Sequence, residues 1–326
     1  MSRSMSAKGV VCVAAALLMA GGAWADDFMG EYEGTFIPDK KVTMKAEAKV
    51  VAEGDGNYRI VIEAKSEDRD RDGAYIEVYG KQSGQAVIVD SGVFGGYIWK
   101  GEIRDGRLVL ETKYGTRFEL KKIERKSPRA GLKPPAGAVV LLPFKNGQKG
   151  KADLSEWTNG KWKALPGGVM ECVPKSGSSR TNKVFGDIET LHVEFKLPLE
   201  PKNRGQGRAN SGVYVSGKYE VQILDSFGIL PYTSGDCGGI YNLKRADVNA
   251  CLPPERWQTY DITFHRPGPD ADGKMRGPRI TVEHNGRTIH KNLEMPAKSK
   301  PGEKGPLNLQ DHKHPIQFRN IWLVEG

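Results

Sequence analysis

The chain has 326 residues, with 49 Lys and Arg against 40 Asp and Glu and a formal net charge of +9. That modest excess gathers only at Lys121, Lys122, Arg125, Lys126, Arg129 and Lys133 and is not interleaved with aromatics, which excludes a nucleic-acid surface. Beyond the first 25 residues no apolar run approaches the roughly 18 to 20 residues of a spanning helix, so no membrane span is expected.

Residues 1–25 carry Arg3 and Lys8, an apolar run from Gly9 to Ala20, and Ala23-Trp24-Ala25 before Asp26. This is the pattern of a secretory signal with a small-x-small cleavage site, and it predicts an exported, periplasmic or extracellular protein beginning near Asp26. In residues 26–125, segments such as 45–52, 58–64, 75–79, 97–103 and 117–123 alternate apolar and polar side chains between short turns, for example Arg104-Asp105-Gly106. They predict a small all-β domain, a meander or barrel. Residues 126–137, rich in Pro, Gly and charge, break every period and read as a linker.

Residues 138–326 return to strands, at 138–143, 190–197, 211–215, 219–224, 259–265, 279–283, 287–290 and 316–324, with Asn285-Gly286 marking a hairpin. No helix of three turns is expected. Eight or more antiparallel strands with long connections fit two packed curved sheets, a jelly-roll sandwich. Cys172 shares a strand face with Met170 and reads as a buried thiol. Cys237 and Cys251 flank a Gly-rich loop and, in an oxidising compartment, are the expected disulfide.

Carboxylates, amides and aromatics concentrate between Arg208 and Tyr241. Glu220 and Gln222 share a face of a regular strand while Asp225 points the other way; a bulge at Ile223 and Leu224 would bring all three together. Two carboxylates and an amide on one concave sheet suit proton transfer at an anomeric carbon. The same spacing also describes solvated residues on a half-exposed strand. Asp236 beside Cys237 is either catalytic or a turn-former. Asp311, His312 and His314 are the local metal-like cluster, the alternative being solvated residues at a strand end. A phosphate loop, His-Glu-x-x-His and Cys-x-x-Cys are absent, and Gly205-Gln206-Gly207 is too short for a dinucleotide fingerprint.

Several blocks together resemble one family, the bacterial 3-keto-disaccharide hydrolase domain. They are Arg180-Thr181, Phe185-Gly186-Asp187, His192-Val193-Glu194-Phe195, Asn210-Ser211-Gly212-Val213-Tyr214 and Tyr219-Glu220-Val221-Gln222-Ile223-Leu224-Asp225-Ser226. Next come Asp236-Cys237-Gly238-Gly239-Ile240-Tyr241, Asn249-Ala250-Cys251-Leu252-Pro253-Pro254, Trp257-Gln258-Thr259-Tyr260-Asp261, Leu309-Gln310-Asp311-His312 and Phe318-Arg319-Asn320-Ile321-Trp322. Residues 26–125 lie outside the resemblance, so the first domain is expected to be dispensable for chemistry.

The resemblance implies a concanavalin-like sandwich and a sugar or glycoside oxidised at C3 as substrate. A base removes the proton at C2, the C1 oxygen leaves by β-elimination, and water adds to the glucal for a net hydrolysis. It further implies Glu220 and Asp225 as acid and base, with Asp236 and His312 as further catalytic candidates. Arg208 and His312 fall on the enolate side, the latter with Asp311 through a divalent metal. Asn210, Tyr214, Gln222, Tyr241 and Gln310 are the implied substrate contacts. Glu220-x-Gln222-x-x-Asp225 is also similar to the Glu-x-Asp-x-x-Glu strand of laminarinase-type glycosidases, but its middle amide does not suit double displacement. A non-catalytic carbohydrate-binding module on the same sandwich is the competing reading, since fold alone does not choose.

Overall fold

The computed structural model of the chain describes residues 26–39, 42–65, 74–230, 232–270 and 272–326; the expected export signal, residues 1–25, lies outside them. Among the described residues no helix is long and apolar enough to cross a membrane. The molecule is all-β. Eight strands, from Gly30–Asp39 to Arg117–Ile123, form a closed barrel in chain order. The last strand closes on the first, with Glu31 opposite Ile123 and Ile37 opposite Arg117. Alternation fills the barrel: Ala46, Ala48 and Val50 point inward while Lys45 and Glu47 face water. Ile60, Ile62, Ile103, Leu108, Leu110 and Phe118 complete its core, each burial contributing about 1.5–3 kcal/mol.

The second unit is the expected sandwich. Its large sheet runs Lys163–Leu165, Val169–Glu171, Gln317–Glu325, Ile188–Lys196, Trp257–His265, Arg279–His284, Arg287–Glu294, and Val139–Leu142 also pairs with Gln317–Glu325. The smaller sheet has four strands, in the order Ser179–Arg180, Asn308–Leu309, Ser211–Val215, Tyr219–Ile223. Val213, Val221, Ile223 and Leu309 of the small sheet join Phe195, Tyr260, Ile262, Phe264 and Phe318 of the large one in a single core. The hairpin predicted at Asn285-Gly286 is present, with both residues left-handed at φ 51° and 73° as a type I′ turn requires.

The Pro/Gly-rich segment 126–137 is fastened to the large sheet rather than loose. The Ser127 and Thr259 hydroxyls hydrogen-bond at 2.8 Å, Arg129 donates twice to Asp261, Gly131 N donates to Glu194, and Leu132 O accepts from Asn320 Nδ2. Beneath it His192 is buried between Asp261 and Glu194 and stacks on Trp322. Burial alone would lower the pKa of His192, but its bonds to the two carboxylates outweigh that and raise it. His192 thus has a structural role, holding the segment above it to the large sheet through Asp261 and Glu194.

Barrel and sandwich meet at the loop that follows Tyr219–Ile223. Phe227, 1% exposed, belongs to the barrel's core cluster although it comes from the sandwich. Arg59 Nη1 donates to Gly228 O at 2.8 Å, and Arg208 Nη2 donates to Ala52 O at 3.2 Å. Gly228 has φ +70°, and a Cβ there would lie 2.6 Å from Val51 Cγ2, so only glycine permits this approach.

Candidate active site

Cross-strand neighbours in an antiparallel sheet share a face, which sorts the small sheet without ambiguity. Tyr214 lies opposite Glu220, Gly212 opposite Gln222, Asn308 opposite Tyr214 and Arg180 opposite Asn308. With Gln310 following Asn308 by two, Arg180, Asn308, Gln310, Tyr214, Gly212, Glu220 and Gln222 line one polar face. The intervening Val213, Val221, Ile223 and Leu309 supply the core on the other.

Loops wall in this face. The Gly-rich loop binds along the outer edge of Tyr219–Ile223: Gln222 N donates to Gly239 O, Gly238 N to Gln222 O and Tyr241 N to Glu220 O. From the other side Gln206 accepts from Gln222 Nε2 at 3.0 Å and from Asn210 Nδ2 at 2.9 Å. As a result Glu220 is only 8% exposed and Gln222 1%.

Burial raises the pKa of Glu220, against a hydrogen bond from Tyr214 and the charge of Lys298. Burial and the adjacent carboxylate push the Tyr214 phenol well up, so it stays an O–H donor to Glu220, and Gln310 Nε2 donates to its oxygen at 3.1 Å. The carboxylate lies over Gly212: a Cβ at that glycine would be 2.2 Å from Glu220 Oε1.

Four buried amide oxygens, Asn210 Oδ1, Gln222 Oε1, Asn308 Oδ1 and Gln310 Oε1, have no hydrogen-bond partner among the described residues. Three of these amides have their nitrogens tied down, Asn210 and Gln222 on Gln206 and Gln310 on Tyr214. Their oxygens are thereby left as the unused acceptors of each amide. A buried acceptor left unpaired costs about 1–3 kcal/mol, a cost that ligand hydroxyl donors would relieve.

Several expected residues sit elsewhere. The paired residues of Tyr219–Ile223 show no bulge, and the chain leaves the strand after Ile223. Asp225 is consequently buried on the opposite side, where Arg208 Nε donates to it at 2.6 Å and Phe227 N at 3.3 Å. Burial raises its pKa, with Arg208 acting against it. Arg208 spends its other nitrogens on the carbonyls of Pro201, Asn203 and Ala52. This pair braces the strand end against the barrel.

Asp236 accepts from Thr233 N, Thr233 Oγ1 and Ser226 Oγ, the loop-forming role rather than the open one. His312 is exposed and stacks on His314 with ring centroids 6.3 Å apart. Asp311 turns both carboxylate oxygens to backbone N–H groups, those of Gly177 and Lys313. Asp311 and His312 therefore do not fit a divalent metal. The bridge expected between Cys237 and Cys251 is not formed: both are free thiols, Cys237 Sγ 3.1 Å from the Tyr260 hydroxyl and Cys251 Sγ 3.9 Å from that of Tyr232.

Of the implied substrate contacts, Asn210, Tyr214, Gln222 and Gln310 are brought together around Glu220, with the half-exposed Tyr241 on its backbone. Gln206, Gly212, Asn308 and Arg180 also belong here. Asn308 was readable from its spacing of two from Gln310; Gln206 was not, because its role depends on a loop folding over the strand. A separate cavity of about 790 Å³ between barrel and sandwich, lined by Glu31, Lys49, Arg125 and Arg245 among others, includes none of the polar-face residues.

Residues 139–324 match the 3-keto-alpha-glucoside-1,2-lyase-like domain. Among solved structures, the chain is similar to a protein of Parabacteroides distasonis provisionally named a glycosyl hydrolase, at 32% identity and a TM-score of 0.51 over 59% of this chain and 85% of that one. A second protein so named from the same organism matches at 15% identity and a TM-score of 0.39 over 53% and 90% of the two chains. No curated protein matches the chain.

Proposed function

The chain belongs to the 3-keto-alpha-glucoside-1,2-lyase-like domain family, and we propose that it is a glycoside-cleaving enzyme acting on sugars already oxidised at C3. The observation that carries this reading is a buried carboxyl of raised pKa, Glu220, beside four amide oxygens with no partner. A ketone at C3 acidifies the C2 proton, because the carbanion is shared with the carbonyl oxygen. Glu220 removes that proton, the C2–H electron pair becomes the C1=C2 double bond, and the C1–O bond breaks to release the aglycone. A raised pKa suits this task, since a stronger base gains driving force for taking a proton from carbon. Water then adds across the double bond, its hydroxyl to C1 and the proton held by Glu220 to C2, while the remaining water proton neutralises the aglycone oxygen that left.

Asn210, Gln222, Asn308 and Gln310 accept hydrogen bonds from sugar hydroxyls, and Tyr214 holds Glu220 in place. Arg180 stands three strand spacings away, about 14 Å at the backbone, which leaves room for a sugar between its guanidinium and Glu220. Its positive charge would stabilise the enolate oxygen, the role that Arg208 is too occupied to take. In this reading the enzyme works after export, as Arg3, Lys8 and the apolar run that follows imply.

The test is to assay purified full-length protein on a 3-keto glucoside and on the matching glucoside. Release of aglycone from the oxidised substrate alone supports the proposal. Binding without release would make the face a carbohydrate-binding module, and turnover of the unoxidised glycoside would indicate an ordinary glycosidase; either result overturns it.

A further inference from the structure

Behind the polar face, three buried side chains from separate parts of the chain converge. Cys237 is in the Gly-rich loop, Cys251 precedes the strand Trp257–His265, and His284 ends Arg279–His284. Each offers one ligand atom, and these atoms lie within 4.8 Å of one another. Cys237 and His284 are wholly buried and Cys251 is 2% exposed. Nε2 of His284 faces Gln258 Oε1 at 2.9 Å, and that oxygen can only accept, so Nε2 carries the proton. Nδ1 is then a lone pair, and it has no hydrogen-bond partner among the described residues.

We infer that Cys237, Cys251 and His284 form a structural zinc site. Two sulfurs and an imidazole nitrogen are three of the four donors of a tetrahedral zinc, a water completing the set, and bonds of about 2.3 Å to sulfur and 2.0 to 2.1 Å to nitrogen place the protein donors about 3.5 to 3.8 Å apart. A small contraction of the present cluster reaches that spacing. Zinc binding replaces two S–H bonds by two Zn–S bonds and releases both protons to solvent. Zn²⁺, two thiolates and a neutral imidazole sum to zero charge, whereas a monovalent soft ion would leave a net negative charge in a wholly buried place. Gln258 supplies the outer-shell acceptor that orients a ligating histidine, and it is itself fixed by Leu252 N and Asn285 Nδ2.

Such an ion would pin the loop that walls the polar face. Gly238 N, next to Cys237, donates to Gln222 O at 2.8 Å, and the Tyr260 hydroxyl beside the Cys237 sulfur donates to the same oxygen at 2.6 Å. Bound zinc would also hold both thiolates apart from the oxidation expected of an exported cysteine pair.

The full-length protein, unfolded and refolded under reducing conditions with Zn²⁺ alone and then dialysed, should carry one zinc per chain by elemental analysis. Co²⁺ in its place should give thiolate-to-cobalt charge-transfer absorption. Gln258→Ala should weaken zinc by about 10- to 100-fold, the usual cost of losing an outer-shell partner. His284→Gln, which leaves both thiols in place, should lose the zinc and melt at a lower temperature. Folded wild-type protein that retains no metal, or that carries a Cys237–Cys251 disulfide by non-reducing mass spectrometry after such loading, overturns the assignment. If His284→Gln does not fold, the wild-type zinc stoichiometry and cobalt spectrum decide alone.

Discussion

Substituting Gly212 by alanine tests the placement of Glu220 without touching its chemistry. The added Cβ would meet Glu220 Oε1 at 2.2 Å, whereas ordinary contact begins at 3.4 Å, so the carboxylate must retreat by about 1.2 Å. Gly212 is not in the left-handed region, so the backbone accepts alanine, and the obstacle is the end of a flexible side chain rather than main chain. The fold should survive, with a stability change of about 1 kcal/mol, while a displacement of about 1 Å at a proton-transferring group costs about 10²-fold in rate. That corresponds to about 2.7 kcal/mol of barrier. Steady-state kinetics on a 3-keto glucoside should show the loss in kcat, with KM changed little because the four amide oxygens are untouched. The double variant with Glu220→Gln should be little slower than Glu220→Gln alone, since a misplaced amide is no worse than a well-placed one. A folded Gly212→Ala protein with wild-type kcat would refute the assignment of Glu220.

Glu220→Gln itself should cut kcat by about 10² or more, measured on protein whose melting temperature is near wild type. As pH rises through the raised pKa of Glu220, kcat/KM should climb, because the base must be ionised. Stability should move the other way in that window: above the ordinary carboxylate pKa and below the raised one the folded state holds the extra proton, so unfolding free energy falls with rising pH. Paired kinetic and chemical-denaturation profiles over pH 4 to about 8 would show opposite slopes, and parallel ones would contradict the raised pKa. Asp225→Asn should act on the fold instead, leaving Arg208 buried and unpaired at a cost of about 3–5 kcal/mol; an unchanged denaturation midpoint would contradict the bracing role. Phe227→Ala should cost a similar 3–5 kcal/mol by emptying its place in the barrel core, and calorimetry would register this as a lower or split transition.

Period-two alternation carried much of the architecture. Tyr219-Glu220-Val221-Gln222-Ile223 states in five residues which side chains enter the core and which line the polar face, and Asn285-Gly286 states its own turn. Closure of the barrel was not readable, because pairing Glu31 with Ile123 depends on the twist accumulated over all the strands between. The same holds for Asp225. Its fate is decided where the strand stops, and by Arg208 and Ala52, neither a near neighbour in sequence. The segment 126–137 has the composition of a spacer, yet the polar groups of Ser127, Arg129 and Gly131 find fixed partners on the large sheet. For Cys237 and Cys251, spacing brings the sulfurs near one another but says nothing of what else faces them.

Glu220 and Asp225 show how similar carboxyls, five residues apart, come to opposite uses. Both are buried and both have raised pKa values. Asp225 is met by a guanidinium at 2.6 Å and a backbone N–H, so its lone pairs are committed to holding the chain. Glu220 is met by a neutral phenol and the more distant charge of Lys298, so desolvation is offset only in part and a lone pair remains for a proton. The difference begins at Ile223, where the strand ends and parity no longer governs direction. Placing an arginine at Tyr214 would recreate for Glu220 the situation of Asp225. Tyr214→Arg should therefore lower the Glu220 pKa and abolish turnover while leaving it ionised, and a shift of the kcat/KM profile to lower pH in any residual activity would separate this cause from simple steric loss.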